Sequence, residues 1–197
     1  MKHLVITIGC EYGAKGNAIG KKIAQDLGIK FYDRDLVDEI IKEVGIPTDI
    51  MDRVEEGGTI AGKGAQGDVR GSFSKYADLT DRAIHVQKQI IRKLAQKEAC
   101  VIIGRSADYI LKDRDDVLNV FIHGDMPEKT QRIMGLYNVG EKEAVKMMAD
   151  TDKRRMTNYN FYTDQKWGKA SNYTLCLNSS QLEYDRCEKI IMECLGV

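Results

Sequence analysis

The stretch Leu4–Ala24, LVITIGCEYGAKGNAIGKKIA, limits what this chain can fold into more than any other. Leu4, Val5, Ile6 and Ile8 form a short apolar run of the kind buried on both faces of a parallel sheet. Gly9, Gly13 and Gly16 then interrupt the chain within eight residues. From about Asn17 the period becomes helical, with Ile19, Ile23, Ala24 and Leu27 on one side and Lys21, Lys22 and Gln25 off it. Gly28 is placed to end that helix. Strand, glycine-rich turn and helix N-terminus in that order make an anion cradle. The glycines let backbone N–H groups turn toward a phosphate, and the helix dipole adds partial positive charge at the same spot.

The spacing departs from the usual phosphate loop, G-x4-G-K-[ST]. Counting from Gly9 puts Ala14 in the second glycine slot and Lys15 in the lysine slot, with Gly16 and Asn17 next. Counting from Cys10 improves the register of the helix, but Lys15 and Gly16 are then transposed. Under either count the hydroxyl residue that would hold magnesium is absent. Gly9, Gly13, Ala14, Lys15, Gly16 and Asn17 are the expected phosphate contacts. The competing reading is an ordinary strand-to-helix turn whose glycines only permit close packing.

The 197 residues suit one domain able to bury its own core. Thirty basic and thirty acidic residues cancel, so there is no global electrostatic case for nucleic acid or a membrane surface. No signal peptide is expected, and no apolar run approaches the ~20 residues that span a bilayer. The five cysteines (10, 100, 176, 187 and 194) show no C-x-x-C pairing. Cys100 and Cys176 lie in strand-like runs, which favours buried, reduced thiols over disulfides or zinc. The expectation is a soluble, cytoplasmic protein.

Further along, Ile29–Asp35 reads as a short extended piece, and Asp33 or Asp35 can cap a helix from Leu36 to Val44 that Gly45 and Pro47 stop. A short helix is expected over 49–55. The segment 56–75 holds six glycines (57, 58, 62, 64, 67 and 71) and few large apolar groups, and reads as a mobile loop, either a plain insertion or a flap. Apolar residues at 79, 83, 84, 86, 90, 91, 94 and 95 predict an amphipathic helix over 79–97. Cys100–Ile103 and Val117–Ile122 are strand runs. Asp125 and Pro127 open a helix to about Leu136, and Glu141–Asp150 is another, followed by a polar, aromatic stretch, Thr151–Asn172. Tyr173–Leu177 reads as the last strand and Gln181–Leu195 as the last helix. His3, His85 and His123 have no nucleophilic partner at useful spacing. Strands alternating with helices indicate a parallel α/β sheet flanked by helices, with ligands at the C-terminal strand ends. Those ends carry GCEYGAKGN, YDRD, GRSADY and NSS.

In this order the motifs resemble the cytidylate kinases, and more closely their cytidylate kinase-like branch, over nearly the whole chain. Gly13-Ala14-Lys15-Gly16 is similar to the family's phosphate loop, and Phe31-Tyr32-Asp33 to the segment that leads into its monophosphate-binding part. Val101–Arg105 resembles the strand ending in Gly-Arg whose arginine holds the CMP phosphate. Val120-Phe121-Ile122, Pro127-Glu128 and Arg132 resemble a strand and an arginine-bearing helix. Asp152-Lys153-Arg154-Arg155 resembles the lid's D-x-x-R, and Tyr173–Ser180 the closing strand. Tyr159–Tyr162 and Trp167-Gly168 are more typical of the like-branch.

The resemblance implies a P-loop nucleoside monophosphate kinase fold, with a monophosphate-binding insertion over about 34–97 and a lid over about 150–172. It also implies ATP and magnesium as cofactors and CMP or dCMP as acceptor. Lys15, Arg105 and Arg155 would be catalytic; Arg132 and Arg154 would meet ATP phosphates; Asp33, Arg34, Arg105, Asp152 and Arg155 would bind the acceptor. No metal ligand is assigned. Such chemistry wants arginines, because transfer of a phosphoryl group is positioning plus charge neutralisation, and the guanidinium fork fits phosphate in two prongs. Two departures stand out: the missing Ser/Thr, and Ile103 where housekeeping cytidylate kinases carry an aspartate that could help order magnesium. The rival functions are a kinase for another small acceptor and a nucleotide-binding sensor without turnover.

Overall fold

The strand opening the chain, β1 (Val5–Cys10), is hydrogen-bonded along both edges, to β3 (Cys100–Ile103) and to β4 (Val117–His123), parallel to each. β2 (Lys30–Tyr32) joins outside β3, and β5 (Leu175–Asn178) outside β4. The result is a five-stranded, all-parallel sheet in the order β2-β3-β1-β4-β5. The computed structural model describes residues 4–43, 45 and 69–196. The helix expected over 49–55, the loop residues 56–68 and His3 lie outside the described residues.

Alternation along the strands divides the apolar side chains between two layers. Ile6 and Ile8 of β1, Val101 and Ile103 of β3, and Val120 and Ile122 of β4 face α1 (Gly16–Asp26) and α7 (Tyr184–Cys194). Val5, Cys100, Ile102 and Tyr32 face α2 (Arg34–Glu43), α3 (Val69–Lys97) and the short α4 (Ala107–Ile110). A separate cluster of Ile133, Ala144 and Met148 joins α5 (Met126–Tyr137) to α6 (Glu141–Tyr162) and reaches Tyr12 of the first turn.

Local chemistry sets the ends. Gly28 takes φ 63°, its N–H bonds Gln25 O, and Ile29 N–H bonds Ala24 O, which closes α1 in a Schellman turn. Asp33 caps α2, its Oδ1 accepting from Leu36 N–H at 3.0 Å. Asp125 stands at the N-cap of α5 but makes no side-chain cap bond; its carboxylate accepts instead from Asn178 Nδ2 at 2.9 Å and from Gln181.

Three expectations change. α3 starts at Val69, ten residues before the apolar stripe begins, since Gly71 weakens a long helix by only about 1 kcal/mol. α6 runs through 151–162 because that polar stretch contains neither glycine nor proline. Cys176 is exposed, because β5 is an edge strand, whereas Cys100 on interior β3 is buried. All five cysteines are free. No described helix is long and apolar enough to cross a membrane.

α1 approaches β1 closely at Gly16. A Cβ at Gly16 would lie 2.5 Å from Cys10 Cβ and 2.7 Å from its Sγ. Gly16→Ala is therefore expected to cost about 1–3 kcal/mol despite alanine's better helix propensity. Urea denaturation would read this as a lower midpoint with an unchanged slope.

Candidate active site

Reversal of strand order about β1 opens a crevice at the C-terminal strand edge, where ligands collect in sheets of this type. The polar clusters GCEYGAKGN, YDRD, GRSADY and NSS all meet there, at the ends of β1, β2, β3 and β5. Between β1 and α1 the loop turns through Gly13 at φ 86° and Lys15 at φ 62°. Ala14 is fully buried beneath it, and Asn17 is exposed on the first turn of α1. The Lys15 ammonium lies 5.9 Å over the Tyr184 ring of α7.

Polar bonds from α5 and α6 hold this loop from the opposite side. Arg132 donates to Gly13 O. Arg155 Nη1 donates to Cys10 O at 2.7 Å, and its guanidinium lies 5.5 Å over the Tyr12 ring. Asp152 Oδ1 accepts from Tyr12 N–H at 2.7 Å and sits 3.8 Å from Arg155. Burial pushes the Asp152 carboxyl above the usual range, against the Tyr12 N–H bond and the Arg155 charge. Glu11 Oε2 accepts from Lys129 Nζ at 2.6 Å and from Gly124 N–H at 3.2 Å, with the Lys129 side chain 5% exposed.

Beside the loop is a cavity of about 140 Å³ between the end of β3 and α6. Cys10, Gln87, Ile103, Gly104, Arg105 and Ser106 line one side; Thr151, Arg154, Arg155, Asn158 and Tyr159 line the other. Three arginines and no carboxylate line it, with Asp38 beside Arg105 and Asp152 beside Arg155 outside the lining. Gly104, Arg105 and Ser106 take successive left-handed conformations, φ 65°, 56° and 53°. A non-glycine residue there costs about 1–2 kcal/mol, a strain that sites tolerate and ordinary loops avoid. Gln87 Nε2 donates to Arg105 O at 3.2 Å across this turn.

Arg105 has its side chain only 5% exposed and pairs with Asp38 of α2. Arg154 is exposed, with its Nη2 donating to Thr151 Oγ1 at 3.2 Å. Below the cavity, Tyr159 donates to the buried Asp108 carboxylate at 2.6 Å, and burial raises the Asp108 pKa. Trp167 meets Phe121 edge-on at 5.3 Å, part of the packing over β4.

The structure thus brings Gly9, Gly13, Ala14, Gly16, Arg132, Asp152 and Arg155 to the loop, and Arg105, Arg154 and Arg155 to the cavity. Asp33 serves as a helix cap and Lys15 extends toward α7. Arg34 opens α2, but its side chain lies outside the described residues. Sequence reasoning missed Gln87, Asp38, Lys129 and Asp108. For Gln87 a signal existed: it occupies a core position between Ala83 and Ile91 on the apolar stripe of α3.

The glycine turn fits nucleotide phosphates, since Gly13 and the start of α1 supply the conformation and N–H groups that an anion needs. Magnesium fits less well. Among the described residues no group of three or more His, Cys, Asp or Glu converges on one point, and Glu11 is engaged by Lys129.

Sheet order, phosphate-type turn and facing arginines define an α/β protein of the P-loop kinase type. Residues 5–181 match the cytidylate kinase-like family, and the chain belongs to that family. An uncharacterized protein from Eubacterium ventriosum ATCC 27560 is 28% identical, with a TM-score of 0.77 over 98% of this chain and 99% of the other. Shikimate kinase from Bacteroides thetaiotaomicron shares the fold at 14% identity, with TM-score 0.54 and coverage of 98% and 99%. A gluconokinase from Sinorhizobium meliloti 1021 does so at 15% identity, with TM-score 0.50 and coverage of 99% and 96%. No curated protein matches the chain.

Glu11→Ala would leave the Lys129 ammonium buried without its carboxylate, at a cost of about 3 kcal/mol in chemical denaturation. Asp108 has the opposite sign. Its raised folded-state pKa means that native protein holds the proton more tightly than the unfolded chain. The stability this gives is complete below the usual aspartate range and is lost as pH rises through the folded value. Asp108→Asn, whose Oδ1 still accepts from Tyr159, is expected to melt at or above the parent temperature at pH 7 and to lose that part of the pH dependence.

Proposed function

We propose that the chain transfers the γ-phosphoryl group of ATP to a nucleoside monophosphate, CMP or dCMP. The observation that carries this reading is the cavity with three arginines and no carboxylate, sharing Cys10 with the phosphate-type loop. A bound monophosphate there would present its phosphate oxygen to the donor across the seam between cavity and loop. That oxygen forms a bond to the γ-phosphorus, the bond from phosphorus to the bridging oxygen breaks, and ADP leaves.

The chain's own residues supply position and charge. Gly9, Gly13, Ala14, Gly16 and Asn17 cradle the donor phosphates at the helix N-terminus. Lys15 joins them at small cost, because an exposed cation–π contact is worth about 0.5–1 kcal/mol, less than a phosphate contact. Arg132 serves the donor side. Arg155, already at the seam, moves from Cys10 O to the transferring group. Arg105, aligned by Asp38, and Arg154 face the acceptor phosphate. Asp33 caps α2 at the end of β2, and Asp152 holds the loop through Tyr12. α2 and α3 form the monophosphate-binding part, and the C-terminal half of α6 with the segment to 172 forms the lid that excludes water. A magnesium ion carried by the nucleotide phosphates would neutralise part of their charge.

The second reading, a kinase for another small acceptor, follows from the named activities of the shikimate and gluconate kinases that share the fold. The test is ADP release from ATP and magnesium with CMP, dCMP, UMP, AMP, shikimate, gluconate or no acceptor. Turnover dependent on CMP or dCMP is the expected result; turnover with shikimate or gluconate alone supports the second reading. ATP binding without turnover on any acceptor overturns both. Arg154 is the cleanest probe of the cavity, being exposed and, among the described residues, hydrogen-bonded to Thr151 of its own helix turn. Arg154→Ala is expected to lower kcat/KM about 10–100-fold while the melting temperature stays unchanged.

A further inference from the structure

We infer that Gln87 reads the acceptor's base: its Oε1 takes a hydrogen bond from an exocyclic amine and so favours an aminopyrimidine over its oxo counterpart. This rests on the kinase reading above and adds a specificity determinant to it. Gln87 is 6% exposed, at a position where the stripe of α3 calls for an apolar side chain. Burying an amide there is costly unless both its ends are bonded. One end is bonded within the protein. Nε2 donates to Arg105 O, and because a carbonyl can only accept, this bond dictates which way the amide faces. The other end, Oε1, is buried without a hydrogen-bond partner among the described residues. Gln87 is among the residues that line the cavity, and a donor on an acceptor bound there that reaches Oε1 would satisfy it.

The remaining chemistry of the cavity agrees. The sequence resemblance places Asp152 among the acceptor contacts, but that carboxylate accepts from Tyr12 N–H, next to Arg155, and is not part of the cavity wall. A neutral amide oxygen can accept from an amine without cancelling the arginines that the phosphate needs; a carboxylate cannot. An oxo group at the same place would set lone pair against lone pair, leaving two buried acceptors unsatisfied.

The experiment measures kcat/KM of the full chain for CMP and UMP in the parent, in Gln87→Leu and in Gln87→Glu. The parent is expected to prefer CMP. Gln87→Leu is expected to lower the CMP-to-UMP ratio about tenfold or more, through loss of CMP turnover while UMP is held or improved. Gln87→Glu keeps an acceptor oxygen and is expected to keep the preference, even as its charge and the loss of the Nε2 bond to Arg105 O lower both rates. Were Gln87 only a prop for the left-handed turn, both variants would slow both acceptors alike, and an unchanged ratio overturns the inference while leaving the kinase reading intact. A parent that uses neither monophosphate overturns the kinase reading and this inference with it. Thermal melting confirms that each variant is folded, and Gln87→Met replaces the leucine variant if that one is not.

Discussion

The pairing of β1 with a parallel neighbour on each edge is the constraint on which the rest of this structure depends. A strand bonded on both sides has no freedom to slide, so the turn after Cys10 emerges at one place and in one direction. Gly16 carries that order into α1, because only a residue without Cβ lets the helix start so close to Cys10. The helix N-terminus, with its unsatisfied N–H groups and partial positive charge, is thereby aimed at the crevice between the ends of β3 and β4. Everything later in the chain is arranged around that crevice.

The second structural theme is that α5 and α6 reach back to the loop through polar groups and only a small apolar cluster. Arg132 and Arg155 occupy backbone carbonyls, Asp152 takes a backbone N–H, and the buried Lys129 pairs with the half-buried Glu11 beneath. Such bonds are individually worth about a kilocalorie or two, comparable to the phosphate contacts that would replace them. In the proposed reading, an arginine that exchanges a carbonyl for a phosphate oxygen would be held near its working position before a nucleotide arrives, which would reduce the ordering cost of binding. The strained turn Gly104–Ser106 stands on the side proposed for the acceptor, where Gln87 and the pair Asp38–Arg105 brace an unfavourable backbone.

Several parts of the site were legible in the residues. The polar clusters at the strand ends are short-range signals: glycines, arginines and aspartates directly after apolar runs. Helix caps are equally local, and Gly28 and Asp33 behave as their positions in sequence suggest. Lys15, Asp152 and Gln87 are different. The first two sit where the resemblance expects a phosphate and an acceptor contact, yet their side-chain directions depend on Tyr184 and Tyr12, which are distant in sequence. Gln87 looks like a lapse in an apolar stripe until Arg105 O is found across from it.

By itself the sequence determined the alternation of strands with helices, the parallel sheet that follows from two-sided apolar runs, and the glycine turn that opens it. These are consequences of periodicity, chirality and local backbone freedom, all of which act over a few residues. Only the tertiary structure decided the strand order about β1, the continuation of α6 beside the phosphate-type loop, and the partners of each charged group. Those depend on which surfaces meet after collapse. A guanidinium or carboxylate takes whichever partner lies within about 3 Å, and that choice is made by packing between segments more than a hundred residues apart, as with Cys10 and Arg155.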